Sequence, residues 1–260
     1  MADSPDVDPF SLLHGLPTTD WIWLGVAALC VGLGKSGFSG LSLIPVFILA
    51  EMFGKASVGV LLPMLVVADL TVFPAFRKYG GWGPVWRLLP PALLGMFAGV
   101  FFLHWLPEEG ARPTIGAFIL CMVAFQLGKR LHAEGFARLA ASRSFGQGAG
   151  VFAGVATMMA NAAGPVFQLY LVSQKVPKME LMGIGARFFL VVNAIKLPVM
   201  GGMAYTNQAT LMLNLTLIPL IWVGIFVGKF LLEKISQRVF EWMVVGFATV
   251  AGLRLILAGL

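Results

Sequence analysis

Long apolar runs dominate this chain, and short polar stretches separate them. A helix that crosses a bilayer core of about 30 Å needs roughly 20 residues. Six runs reach or approach that length: 57–76, 86–106, 112–128, 182–200, 209–229 and 239–259. The pattern therefore predicts an all-α protein with six uninterrupted transmembrane helices.

Two further apolar regions, 21–52 and 148–173, are interrupted midway by small and polar residues, at 32–40 and 157–165 respectively. Each region predicts a helix, a break and a second helix. As a helix, the first arm (20–34) would span only about 22 Å at ~1.5 Å per residue, which is short for a crossing. The lengths therefore favour re-entrant hairpins, although pairs of full crossings remain the alternative.

Short signatures recur in the two halves of the chain in the same order. The matches are Pro45-Val46-Phe47 with Pro165-Val166-Phe167, 65–74 with 189–198, and Gly95-xxx-Gly99 with Gly224-xxx-Gly228. They predict two repeats, 20–128 and 148–260, each a broken-helix hairpin followed by three transmembrane helices. Residues 1–19 would form a polar lead, and the basic stretch 129–147 a linker with a short interfacial helix.

Basic residues predict the orientation of these segments. If the segments alternate across the membrane, the loops on one side hold twelve of the 18 Lys and Arg residues, whereas the opposite loops offer Lys55 and Arg112. Cytoplasmic loops carry such an excess of positive charge. The basic loops are therefore predicted to be cytoplasmic and both termini periplasmic, which makes the two halves inverted repeats.

Composition agrees with a membrane protein and narrows the functional classes. With 58% hydrophobic residues, 12% charged residues and a mean hydropathy of +0.88, the chain has too few polar side chains to cover a soluble domain. The net charge of +6 does not indicate nucleic-acid binding, because the positive-inside bias accounts for it. The histidines and cysteines lack metal-ligand spacing, and we find no nucleophile–base pairing, so we expect no cofactor, metal site or enzyme activity.

The two breaks are the candidate substrate sites. Lipid cannot satisfy the backbone groups that a broken helix exposes, so a break survives only inside protein or against a water-filled cavity. Half-helix N-termini also offer N–H donors and partial positive charge to an anion. The predicted substrate contacts are Lys35, Ser36, Gly37, Ser39, Gly40, Thr157, Asn161 and Gln168. The alternative is that the small residues only permit tight helix contacts, which we favour for the two Gly-xxx-Gly pairs.

Charged residues inside apolar segments are the sharpest single candidates. Lys35, at the centre of the first break, would be a buried cation that an anionic substrate could pair, or it could snorkel to an interface. Asp69 could pair with Lys35 or Lys196, or carry a proton during coupling; it aligns with Asn193 of the second repeat. For Arg187 and Lys196 we expect snorkelling, because they lie near opposite ends of one predicted helix.

Three features together resemble the TauE/SafE family of bacterial membrane transporters, often called sulfite exporters. They are the glycine-rich break with its following proline, the basic stretch Arg77-Lys78-Tyr79-Gly80-Gly81-Trp82, and the run Asn193-Ala194-Ile195-Lys196. The resemblance covers about 20–258. It implies a secondary carrier without ATPase that exports sulfite or small organosulfonates from a prokaryotic cell through the inner membrane.

The sequence thus predicts an alternating-access carrier for a small sulfur-containing oxyanion bound between the two breaks. Its partners would be the anion, the lipid bilayer and a coupling ion, H+ or Na+. An anion channel is the main alternative, and a membrane enzyme or an assembly subunit is a more distant one.

Overall fold

The computed structural model describes residues 15–36, 39–132, 134–135, 143–234 and 237–258. This part of the chain is helical and contains no β-strand. It includes ten α-helices: α1 Thr18–Lys35, α2 Leu43–Phe53, α3 Ser57–Phe76, α4 Gly83–Trp105, α5 Glu108–Leu131, α6 Arg143–Ala160, α7 Gly164–Ser173, α8 Lys178–Gly202, α9 Gln208–Lys234 and α10 Gln237–Leu257. Two short 3-10 turns, Ser39–Ser42 and Gly54–Ala56, precede and follow α2.

Five segments of the described chain are long and apolar enough to cross a membrane. They are Leu43–Phe76, Gly83–Trp105, Glu108–Gly128, Met179–Gly202 and Gln208–Gly228. A shorter apolar stretch, Val245–Leu257, lies within α10. The prediction of an all-α, multi-pass membrane protein is therefore confirmed.

Both predicted breaks occur, but each is narrower than the sequence indicated. The first break begins after Lys35, because α1 continues through Gly32 and Gly34. Glycine is needed at position 32, because α9 packs against α1 so closely that a side chain on Gly32 could not fit. The second break is the short segment 161–163 between α6 and α7. Helical residues therefore lie directly beside each break.

The described residues cover only part of the predicted polar lead and of the predicted linker. α1 begins at Thr18, near the predicted end of the polar lead at residue 19, and residues 1–14 lie outside the described part of the chain. The predicted linker 129–147 overlaps the end of α5 and the start of α6. The centre of that linker, 136–142, also lies outside the described residues.

Glycines let the next-to-last helix of each half, α4 or α9, approach the first arm of the other half's hairpin. A Cβ on Gly32 of α1 would lie 2.2 Å from the carbonyl oxygen of Ile221 on α9. A Cβ on Gly95 of α4 would lie 1.9 Å from the carbonyl oxygen of Val151 on α6. Backbone atoms occupy that space, so these contacts need glycine. The tight-contact role that we favoured for the Gly-xxx-Gly helices is therefore what the structure shows for Gly95.

The central helices α3 and α8 run antiparallel to each other. Gly59, near the start of α3, packs against the backbone of Tyr205, just beyond the end of α8. Gly183, near the start of α8, packs against the carbonyl of Tyr79, just beyond the end of α3. Each helix thus begins where the other ends. This arrangement sets the middle of α3, with Asp69, beside the middle of α8.

A proline inside α3 frees a backbone carbonyl that a neighbouring side chain then satisfies. Pro63 has no N–H to donate to the carbonyl of Gly59, four residues earlier. The Thr206 hydroxyl donates to that carbonyl at 2.9 Å. The Asn214 amide donates to the next carbonyl, that of Val60, at 3.1 Å. Polar side chains on later segments therefore satisfy carbonyls of α3 near this proline.

Candidate functional site

The two helix breaks face one cavity, which encloses about 130 Å³ and is also lined by α3 and α8. Lys35, predicted at the centre of the first break, is instead the last residue of α1 and lines the wall with Ser42 and Pro45. Asn161 of the second break and Gly164 at the start of α7 line the wall as well. By a comparable measure, a single water needs about 10–15 Å³. The cavity therefore has room for a small polyatomic anion.

An ion pair joins the first break to α3 at the cavity wall. Lys35 Nζ donates to Asp69 Oδ1 at 2.5 Å, and Asn193 Nδ2 on α8 donates to Asp69 Oδ2 at 2.7 Å. The Asp69 side chain is 1% exposed, whereas the Lys35 side chain is 18% exposed. Of the two predicted partners for Asp69, the structure thus selects Lys35. It also brings together Asp69 and Asn193, the two residues that the repeat alignment paired.

A second lysine supports the other break. Lys196 on α8 is fully buried, and its Nζ donates to the Thr157 carbonyl at 2.6 Å and to Asn161 Oδ1 at 2.5 Å. Its distance to the Thr157 hydroxyl is 3.4 Å. Thr157 and Asn161 both line the cavity, whereas Lys196 lies behind them. The ammonium therefore holds the end of α6 in place from the side away from the cavity.

Asn161 has the backbone geometry of a helix end. α6 ends at Ala160, and Asn161 adopts a φ of +49°, a left-handed conformation that Asn tolerates better than most residues. Its side-chain Nδ2 donates to the carbonyl of Val58, at the start of α3, at 3.0 Å. Both ends of the Asn161 amide are thus engaged, its oxygen by Lys196 and its nitrogen by Val58. Asn161 therefore has the structural role that was predicted as the alternative, and it also lies in the cavity wall.

Aromatic rings cover the apolar side of the cavity, and sequence reasoning missed them. The Phe189 ring lies 4.8 Å from Lys35 Nζ, a cation–π distance. Phe167 packs edge-on against Phe189, and both rings line the cavity. A phenylalanine in an apolar run carries no signal of its own, so only the tertiary structure shows that Phe189 lies against the lysine.

The remaining predicted contacts are placed differently. Gln168, on α7, lines the cavity. The Ser36 hydroxyl instead donates to the carbonyl of Ile225 on α9 at 2.9 Å, so it faces a helix contact. Gly37 lies outside the described residues. Ser39 and Gly40 belong to the 3-10 turn Ser39–Ser42 that leads into α2.

The snorkelling expected for Arg187 and Lys196 is wrong, because both side chains are buried and bonded to backbone carbonyls. Arg187 is 5% exposed. Its guanidinium donates to the carbonyls of Tyr79 and Gly183, both at 2.8 Å, and to the carbonyl of Arg77. Arg187 therefore fastens the loop after α3 to α8, as Lys196 fastens the second break. Snorkelling was inferred from distance along the helix, which does not show the carbonyls that lie opposite.

Comparison with known families gives this arrangement a context. Residues 24–255 match the sequence model described as "Sulfite exporter TauE/SafE". The chain belongs to the TauE/SafE family. Neither a search of curated proteins nor a search of solved structures gave a match. TauE/SafE proteins are transporters, so the resemblance drawn from the sequence is confirmed, and the chain is a multi-pass membrane protein of a transport family.

The charges at the site of this TauE/SafE protein suit an anion. Two lysines, Lys35 and Lys196, lie close to the cavity with one carboxylate, Asp69, between their helices. With all three ionised, the group carries one net positive charge. Burial strengthens such electrostatic interactions, because the surrounding protein screens charges less than water does. Lys35 and Asp69 both line the cavity, and the Lys35 side chain is the more exposed of the two.

Proposed function

We propose that this protein is a secondary active transporter that exports a small sulfur-containing oxyanion, sulfite or an organosulfonate, by alternating access. The anion binds in the cavity between the two breaks. The observation that carries the proposal is the position of Lys35, whose ammonium reaches the cavity from the first break while the second break forms the facing wall. Membership of a sulfite exporter family supports the choice of anion.

The proposed contacts are the polar groups of the cavity wall. Lys35 supplies charge-assisted hydrogen bonds, which are shorter and stronger than neutral ones. Thr157, Asn161 and Gln168 supply neutral polar groups from the second break and α7. Gly37, Ser39 and Gly40 stay predicted contacts of the first break, and Ser36 would act through the α9 contact that fixes the end of α1.

The proposed mechanism rests on two inverted repeats. In transporters of that architecture, one repeat rocks against the other around a site at broken helices near the bilayer centre. The antiparallel packing of α3 on α8 supports this arrangement, because these helices hold equivalent positions in the two predicted repeats. Export from the cytoplasm follows if the basic loops face the cytoplasm of a bacterial inner membrane and both termini face the periplasm.

Counterflow in proteoliposomes tests the proposal. Purified protein is reconstituted with unlabelled sulfoacetate inside the vesicles and a trace of labelled sulfoacetate outside. A carrier should accumulate label transiently and show saturation, and internal sulfite should drive the same accumulation if it shares the site. Uptake without saturation or trans-stimulation would indicate a channel, and no movement of either anion under any ion gradient would contradict the proposal. Vesicles with internal chloride, and protein-free vesicles, are the controls.

A further inference from the structure

The ion pair at the cavity wall exposes its two members unequally. Asp69 is buried and accepts a hydrogen bond from Asn193, whereas Lys35 is partly exposed; all three side chains line the cavity. An ammonium has three N–H donors, and one of them goes to Asp69 at 2.5 Å. An incoming anion therefore meets a cation that already has a negatively charged partner.

Binding of a second anion at Lys35 changes the electrostatics of Asp69. If the carboxylate stayed ionised, two negative charges would share one ammonium in a region screened less than water. If the ammonium moved towards the substrate, Asp69 would be left as a buried charge without its counter-ion, which is a costly state. A proton taken up by Asp69 removes both difficulties at once.

Asn193 is suited to serve both states of Asp69. Its amide nitrogen now donates to the carboxylate at 2.7 Å. A half-turn of the same amide would present its oxygen, which can accept a hydrogen bond from a protonated carboxyl group. A lysine or arginine at this position could only donate. When Lys35 turns to the substrate, Asn193 stays beside Asp69 and can hydrogen-bond to it in its protonated form.

Among the described residues, few charged groups lie near Asp69. Lys35 approaches from α1, and Lys196, about one turn beyond Asn193 on α8, is the next cation. The other helices that pack on α3 present neutral groups near this region, among them Pro45 on α2, Thr157 on α6 and the Thr71–Trp222 contact with α9. Protonation of Asp69 therefore leaves Lys35 at the cavity without its counter-charge, with Lys196 behind the cavity wall, which favours an anion further.

We propose that anion binding at Lys35 and protonation of Asp69 are linked, so that one proton is bound with each anion and the two cross the membrane together, outward when the outward driving force on the anion exceeds the inward driving force on the proton. This inference rests on the proposed transport function and identifies the coupling ion as H+ at a defined carboxylate. The proton bonds to a carboxylate oxygen of Asp69 as the Lys35 hydrogen bond to that oxygen breaks. Release of the anion restores the ion pair and expels the proton.

Isothermal titration calorimetry measures the linkage directly. Sulfoacetate is titrated into purified protein in imidazole, bis-Tris and Tris, whose heats of ionisation differ. Sulfonate buffers are left out because they are potential ligands, and sodium is replaced by choline. The dependence of the binding heat on the buffer heat gives the number of protons taken up. We expect about one proton per anion, and an affinity that falls about tenfold per unit rise in pH while free Asp69 is ionised.

Asp69→Asn provides the decisive variant, because its amide is a neutral analogue of the protonated acid. It should bind sulfoacetate with no proton uptake and with an affinity that does not change with pH. The matched control is Glu51→Gln, which neutralises a carboxylate paired with Arg254 at 2.8 Å outside the cavity wall. This variant should take up as many protons on binding sulfoacetate as the wild type does.

The outcomes separate this inference from the proposed function. Binding of sulfoacetate by the wild type without proton uptake, or binding that requires sodium, would overturn the linkage and leave the transport function standing. Failure of the wild type to bind sulfoacetate or sulfite would overturn both. Because the proton count of the wild type is decisive by itself, the test stands even if Asp69→Asn does not fold.

Discussion

Lys196 and Thr157 are joined by a hydrogen bond of 2.6 Å between the Lys196 ammonium and the Thr157 carbonyl oxygen. The carbonyl belongs to the last turn of α6, where it also accepts from the Asn161 backbone N–H at 3.0 Å. A buried ammonium supplies a donor that water cannot supply there. The break in the second half is therefore built by two helices, α6 and α8.

Replacing this ammonium should disturb the break without touching the cavity wall directly. Lys196→Met leaves Asn161 Oδ1 buried without its donor, which costs about 1–3 kcal/mol, and removes the second donor of the Thr157 carbonyl. We expect a lower melting temperature and at least a tenfold weaker sulfoacetate affinity, measured by fluorescence-monitored unfolding and calorimetry. Lys78→Met, which removes an exposed lysine from a loop, should change neither. Unchanged affinity in Lys196→Met would remove Lys196 from the support of the site.

The Lys35–Asp69 pair can be separated into its structural and binding roles. Lys35→Met leaves Asp69 as a buried charge without its cationic partner, which should cost about 3–5 kcal/mol of stability. The double variant Lys35→Met/Asp69→Asn replaces both charges and should recover most of that loss in a thermal unfolding assay. Neither variant should bind sulfoacetate, because both lack the ammonium. If the double variant bound the anion as tightly as the wild type, Lys35 would be only a structural residue.

The sequence predicted the architecture better than the contacts. Six apolar runs and two interruptions could be found because lipid requires long apolar helices and permits a broken one only within protein. The position of Lys35 near a break was also visible, and so was the alignment of Asp69 with Asn193. These features depend on composition and order along the chain, which a sequence states directly.

What the sequence could not show is which groups lie opposite one another. Arg187 and Lys196 looked like snorkelling residues because each lies near a helix end, yet each donates to a backbone carbonyl of another segment. Phe189 gave no signal, although its ring lies against Lys35. Ser36 lies at the predicted break but bonds to α9. Such relations are set by helix rotation and packing between distant segments.

The left-handed backbone of Asn161 predicts different effects for two small substitutions. Asn161→Ala and Asn161→Gly remove the same hydrogen bonds to Val58 and Lys196. Alanine must also adopt the φ of +49°, which costs an L-residue roughly 1–2 kcal/mol, whereas glycine adopts it freely. We expect Asn161→Gly to be more stable than Asn161→Ala by about 1 kcal/mol in thermal unfolding. Equal stabilities would contradict a left-handed helix end at this position.

The α4–α6 contact should not tolerate a single added methyl group. In Gly95→Ala the new Cβ would lie 1.9 Å from the Val151 carbonyl oxygen, a backbone atom that cannot rotate away. Overpacking of this kind costs about 1–3 kcal/mol or more. The matched control is Gly246→Ala on α10, where nothing lies within 4 Å of the added Cβ. That control should be neutral or stabilising, since alanine is the better helix former. A melting temperature that falls equally in both variants would contradict the close helix contact.

The proposed inverted repeats require that equivalent loops of the two repeats lie on opposite sides of the membrane. Single cysteines at two exposed positions test this requirement: Lys78→Cys, in the loop after α3, and Gln208→Cys, after α8. The natural Cys30 and Cys121 are first replaced by Ala and Ser. Because basic loops stay in the cytoplasm, a membrane-impermeant maleimide should label Gln208→Cys in intact spheroplasts but Lys78→Cys only after lysis. Labelling of both positions from the same side would mean that the repeats are not inverted, and the proposed rocking of one repeat against the other would lose its geometric basis.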